Sequence, residues 1–145
     1  EHLKAAVGKA SRETLGKMML DALKSAPTSK TAKGAIERFL AIGGAYIDFG
    51  IKKSNLCEIA FIYFDSPKLE PDSPNPSDLL MASLSELNEI GCLSDKNFLI
   101  APMIAWSMVH GFAGLAAQGA TGNSDETLSS KKDVLLAVLK SLEIK

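Results

Sequence analysis

The sequence predicts an all-helical domain of six helices packed around one almost uncharged helix. Apolar residues recur at three- and four-residue intervals along most of the chain, which is the spacing of an amphipathic helix. Several of these segments begin at Ser, Thr, Asp or Asn and end at glycine or before proline, as helices do. With 145 residues, 46% of them hydrophobic, the chain is large enough for one core and too small for two.

The first two predicted helices are separated by the proline at position 27. A cap at Thr28 or Ser29 then starts a second helix that runs to about Lys52. Gly43 and Gly44 interrupt it, and because each glycine costs about 1 kcal/mol relative to alanine, the pair marks a kink or a close approach to the backbone. The expected buried stripe of the first helix comprises Leu3, Val7, Ala10, Thr14, Met18 and Ala22.

The middle of the chain is predicted to hold a short helix, a loop and a fourth helix. The short helix, Leu56 to Phe64, is apolar on most sides and should be buried. The loop from Asp65 to Pro76 contains four of the six prolines. Ser77 and Asp78 open the fourth helix, and Gly91 ends it. Its expected buried stripe comprises Leu80, Leu84, Leu87 and Ile90.

The fifth predicted helix starts at Ser94 or Asp95. Its apolar stretch, about Phe98 to Ala117, has twenty residues and no permanently charged side chain. That length could span a bilayer, but Pro102, the central His110 and the water-patterned neighbouring helices favour burial within protein. At about 100° per residue, the helix has two apolar faces. One face comprises Ile104, Met108, Gly111, Phe112 and Leu115, and the other comprises Leu99, Met103, Trp106, His110, Ala113 and Ala117.

A single chain of this size can cover only one of these faces, so the other predicts a second subunit. A polar turn, Thr121 to Ser130, leads to a last helix with its own apolar stripe. Two helices from each chain would form a four-helix dimer interface, where Gly111 lets the partner helix come close. The predicted interface residues are Ile104, Met108, Gly111, Phe112, Leu115, Leu135, Val138 and Leu142.

The segment from Ala105 to Leu115, AWSMVHGFAGL, closely resembles the Trp, His-Gly signature of the C-terminal regulatory domains of TetR-type transcriptional repressors, the WHG group. Glu1 to Val7 resembles the first helix after that family's helix-turn-helix, and Ala45 to Phe61 resembles its tyrosine helix that runs into a short apolar one. Lys53-Ser54 stands where the family often has His-Pro. The resemblance implies a bacterial, cytoplasmic homodimer whose last two helices form the dimeric four-helix bundle.

The resemblance also implies what the domain binds. The inducer would lie between the first two helices, the helix at Ser77 and the face around Trp106, and the apolar lining predicts a hydrophobic small-molecule effector. Operator DNA would be bound only through an N-terminal helix-turn-helix, which is not part of this segment, so the natural chain is expected to begin upstream. The expected ligand-binding residues are Trp106, His110, Met103, Tyr46, Phe39, Phe61 and Leu84.

The main candidates also have structural interpretations. His110 is either a core histidine that bonds to a neighbouring helix or a donor to a ligand. Trp106 is either a core anchor or a stacking platform, and its indole N–H needs a partner if it is buried. Tyr46 and Phe39, seven residues apart, line a cavity with Phe61 or fill the core, and the nearby glycine pair favours the cavity.

Several function classes lack support in the sequence. A net charge of -1 gives no general attraction to DNA. Cys57 and Cys92 lack metal-ligand spacing and are expected to be buried free thiols in a reducing compartment. No pattern indicates a catalytic nucleophile, a metal site or a cofactor, so an enzyme is not expected. The alternatives to a regulator are a helical protein-interaction module and a ligand-carrying bundle without DNA binding.

Overall fold

The computed structural model describes residues 2–62 and 68–145, apart from the side chains of residues 59, 61 and 62. These described residues form seven helices and no strand, which confirms the predicted all-α class. The additional helix is a four-residue segment before the apolar helix. In chain order the helices are α1 (His2–Ser25), α2 (Ala32–Lys52), α3 (Ser54–Ile62), α4 (Pro76–Glu89), α5 (Asp95–Phe98), α6 (Ala101–Ala117) and α7 (Ser124–Ser141).

The helix boundaries follow local capping chemistry. Thr31, a little after the predicted cap, accepts a hydrogen bond from a backbone N–H in the first turn of α2. Asn75 caps α4, so that Pro76 occupies the first turn, where a missing N–H is tolerated. Asn123 and Glu126 form a capping box at the start of α7. The predicted turn up to residue 130 is therefore mostly helix, because this box starts the helix within it.

The buried face of α1 differs from the predicted stripe. Four of its buried positions each lie one residue after a predicted one, and Leu3 is 77% exposed. The backbone of α1 packs directly against the backbone of the turn before α4. This close contact requires glycine at position 16, because a Cβ there would overlap the carbonyl oxygen of Pro74. The buried residues of α1 are Gly8, Ser11, Leu15, Gly16 and Met19.

The long apolar helix predicted to start at Ser94 or Asp95 is divided in two. Ser94 caps α5, which ends at Phe98, and α6 begins at Ala101 with Pro102 in its first turn. Its buried face lies between the two predicted faces. A Cβ at Gly50 of α2 would be 2.5 Å from the Cβ of Ala113, so the two helices cross closely along small residues. The buried residues of α6 are Ala101, Ala105, Val109, Phe112 and Ala113.

Three residues predicted at the dimer interface lie instead in the core of the chain itself. Phe112, Val138 and Leu142 are only 8%, 2% and 0% exposed. The reason is that α7 packs against α2 and α6 of its own chain, which covers these three residues. In the same packing α7 comes close to the glycine pair of α2, which is one of the two outcomes that the pair predicted. A Cβ at Gly43 would be 2.8 Å from Cδ2 of Leu135.

Both cysteines are buried free thiols, as predicted. Within residues 2–62 and 68–145, no helix is both long and apolar enough to cross a membrane.

Candidate functional site

A cavity of about 370 Å³ lies between the helices. Its volume falls within the roughly 300–1,000 Å³ of ordinary small-molecule sites. All the longer helices contribute to its wall, and α2 and α6 together supply nine of its described residues. The described lining residues from these two helices are Phe39, Ile42, Gly43, Tyr46, Pro102, Met103, Ala105, Trp106 and Val109.

The exposed described residues of the cavity wall belong to α4 and α6, and they form the mouth of the cavity. Met81 and Met103 both line it and are 38% and 57% exposed, and Ser77 beside them is also exposed. Methionine side chains are flexible and polarisable, so they can adjust to molecules of different shape. The mouth is therefore adaptable, whereas the inner wall of Ala105 and Val109 is fixed by helix packing.

The polar part of the wall comes from α1 and from the start of α4. Arg12 reaches the cavity from α1, and Asn75 and Ser77 line it where α4 begins. The side-chain oxygen of Asn75 accepts a hydrogen bond of 2.9 Å from the Ser77 backbone N–H. Among the described lining residues none is acidic. The wall is thus mainly apolar, with one basic side chain.

Tyr46 joins α2 to α6 through two hydrogen bonds at the cavity wall. The Trp106 indole N–H donates to the Tyr46 hydroxyl oxygen over 3.0 Å, and that hydroxyl lies 2.6 Å from Nδ1 of His110. Because the hydroxyl oxygen accepts from Trp106, its proton is available to Nδ1 of His110. The tryptophan and the histidine one turn later therefore hold the tyrosine from the same helix.

The Tyr46 hydroxyl stays protonated because its surroundings penalise the phenolate. Burial raises the pKa of Tyr46 well above its usual range, and the neighbouring Cys57 thiol adds to this shift. Burial likewise raises the pKa of Cys57, although its hydrogen bond with Tyr46 acts in the other direction. Both groups are neutral at physiological pH, so this end of the cavity carries no charge from them.

Four of the seven predicted ligand-binding residues line the cavity: Trp106, Met103, Tyr46 and Phe39. His110 is not among the described lining residues, and its Nδ1 bonds to the hydroxyl of Tyr46, which is. This arrangement matches the interpretation of a core histidine bonded to a neighbouring helix. Leu84 is completely buried in the core and does not reach the cavity. The side chain of Phe61 lies outside the described residues.

Sequence reasoning missed other lining residues. Arg12 falls between residues of the predicted apolar stripe of α1 and is typical of a solvent-facing position. Leu135 and Val138 were assigned to the dimer interface, but they close the cavity from α7. No local signal distinguishes these roles, since the side on which α7 packs is set by the tertiary fold. Across the described chain, no group of three or more side chains is arranged to hold a metal ion.

A second feature of α6 is an apolar stripe on its outer side. Ile104, Met108, Gly111 and Leu115 follow one another at four-, three- and four-residue steps, so they share one face. Leu115 is 53% exposed, and a Cβ at Gly111 would meet nothing within 4 Å. Gly111 and Leu115 are therefore exposed, whereas Ile104 and Met108 are half-buried against the core.

Comparison with known proteins agrees with this architecture. Residues 39–139 match the family described as "Tetracyclin repressor-like, C-terminal domain". A solved structure of a protein with unknown function from Rhodococcus sp. RHA1 superposes with a TM-score of 0.68 at 20% sequence identity, covering 93% of this chain and 71% of that one. At that identity the likeness shows the fold alone. No curated protein matches the chain. Because the family match spans most of the chain, from α2 into α7, this protein belongs to the tetracycline-repressor-like C-terminal domains.

Proposed function

We propose that this domain is the effector-sensing and dimerisation part of a cytoplasmic TetR-type transcriptional regulator, not an enzyme. A hydrophobic small molecule in the cavity would control DNA binding by a helix-turn-helix outside this chain. The observation that carries the proposal is the cavity of about 370 Å³, which has a mainly apolar wall and an adaptable mouth.

The cavity is placed so that a ligand would contact α1 directly. Arg12 and Met19 of α1 lie in its wall, opposite residues of α6 such as Trp106. A ligand that binds one position of α1 more tightly than another shifts the population toward that position. Since α1 is the first helix of the domain, such a shift would be transmitted to a preceding DNA-binding domain.

Dimerisation would use the outer stripe of α6 together with α7. The stripe presents Leu115 and the open surface of Gly111 to solvent, and small residues let two helices approach closely. A homodimer would cover this apolar surface, which is costly to leave in water.

Ligand binding can be tested with the neutral fluorophore N-phenyl-1-naphthylamine, which brightens in apolar sites. Native protein should bind it, and Ala105→Leu, which adds three carbon atoms to the cavity wall, should weaken binding at least tenfold. The matched control is Ala117→Leu at an exposed position of the same helix, with circular dichroism to confirm folding. Equal binding by both variants would contradict the cavity as the site.

Dimerisation can be tested by measuring the mass in solution by sedimentation. We expect a dimer for native protein and a monomer for Leu115→Glu, because burying an unpaired carboxylate is unfavourable. Leu3→Glu changes a leucine that is 77% exposed on α1, outside α6 and α7, and should leave the dimer intact. A native monomer would contradict the dimer and would favour a helical interaction module or a ligand carrier.

A further inference from the structure

Arg12 is the one charged side chain among the described residues of the cavity wall. Arg12 lines the cavity, its Nε atom is buried, and the described lining residues include no carboxylate. Arg12 also has an interaction within the chain. A guanidinium has five N–H donors on a rigid fork, so it can keep one partner and still bind a ligand.

Two further donors of the wall, on Trp106 and Tyr46, are engaged with neighbouring groups. The Trp106 indole N–H is directed at Tyr46, and the Tyr46 hydroxyl proton is available to His110. At the start of α4 the Asn75 side-chain oxygen accepts from the Ser77 backbone N–H, and the Asn75 amide and the Ser77 hydroxyl are neutral donors. A polar group would have to break existing bonds to use Trp106 or Tyr46, and among the described lining residues only Arg12 carries a positive charge.

We propose, on the basis of the function proposed above, that the effector is an apolar molecule ending in a carboxylate. The carboxylate would bind the Arg12 guanidinium, and the apolar body would lie against Phe39, Ile42 and Val109. Arginine binds a carboxylate through two parallel charge-assisted hydrogen bonds. Such a pair is stronger in an apolar cavity than in water, while a cation placed there is repelled.

Decanoate and decanol are suitable probes, because they share an apolar chain and differ in the charge of the end group. Trp106 is the single tryptophan of the sequence and lines the cavity, so its fluorescence reports binding there. The dissociation constants of both probes are measured at pH 7.5 for native protein, Arg12→Met, Arg12→Lys and Lys17→Met. Methionine keeps an apolar stem of similar length at position 12, and Lys17 is an exposed cation on the same helix.

The inference predicts that native protein prefers decanoate to decanol. Arg12→Met should weaken decanoate binding roughly tenfold or more and weaken decanol binding by a much smaller factor. Arg12→Lys should fall between native protein and Arg12→Met, and Lys17→Met should match native protein.

Two other results overturn the inference in different ways. If both probes bind equally well to native protein and to Arg12→Met, the carboxylate preference is wrong while the cavity remains a binding site. If neither probe changes the Trp106 emission, both the inference and the proposed use of the cavity for molecules of this size are contradicted.

Discussion

Replacing Tyr46 with phenylalanine removes one oxygen atom and with it two hydrogen bonds that join α2 to α6. A hydrogen bond lost inside a protein costs about 1–3 kcal/mol when the remaining partner stays shielded from water. Trp106 and His110 are only half-buried, so water can replace part of the loss. We therefore expect Tyr46→Phe to lower the free energy of unfolding by about 1–2 kcal/mol at pH 7.5, measured by urea denaturation followed by circular dichroism.

The same substitution has a predictable pH dependence. Burial raises the pKa of Tyr46 in the folded state, while an unfolded tyrosine ionises near about pH 10. The raised pKa therefore contributes stability that is fully present below pH 10 and is lost above it, by up to about 1.4 kcal/mol for each pH unit. Tyr46→Phe lacks this contribution, so its disadvantage relative to native protein should shrink between pH 9 and pH 11.

A double-mutant cycle with His110→Ala is the control for this prediction. Because both substitutions remove the same Tyr46 to His110 bond, their effects should be non-additive by at least about 0.5 kcal/mol. Two results together would refute the reasoning about this hydrogen-bonded tyrosine. The free energy of unfolding of Tyr46→Phe at pH 7.5 would lie within about 0.3 kcal/mol of the native value, and its pH profile would match that of native protein.

Three further substitutions test the helix packing. Gly50→Ala should lower the free energy of unfolding by about 1–3 kcal/mol, because its Cβ would lie 2.5 Å from that of Ala113. A Cβ at Gly114 would meet nothing within 4 Å, so Gly114→Ala should instead raise the free energy of unfolding by up to about 1 kcal/mol. If thermal denaturation shows that both substitutions stabilise or both destabilise the protein, the close crossing of α2 and α6 at Gly50 is contradicted. Leu142→Ala should cost about 2–5 kcal/mol at every protein concentration, and a loss that varies with concentration would place Leu142 in a dimer interface instead.

Local sequence signals predicted the helices well, because caps and stop residues act within a few residues. Gly91 ends the fourth helix with a positive φ of 87°, as its position predicted. The faces of α6 could not be predicted in the same way. Nearly all of its side chains are apolar, so the pattern does not show which side is buried, and the decision rests on the close approach of Gly50 to Ala113.

The candidate site was predictable where it depends on aromatic residues. Trp106, Tyr46 and Phe39 have large apolar side chains at helical spacing and do line the cavity. Arg12 and Leu135 were not predictable, because their roles depend on how helices distant in the sequence pack together. An arginine in a charged helical stretch is typical of a solvent-facing residue, and only the tertiary fold places it in the cavity wall.

The most direct test of the effector cavity is to locate a bound molecule by nuclear Overhauser effects to methyl groups. With methyl-labelled protein and decanol as the probe, the account predicts contacts to Val109 and Leu135, which line the cavity, and none to Leu128, which is exposed on α7. Contacts to Leu128 without any to Val109 or Leu135 would show that apolar molecules bind the outer surface, and would contradict the account.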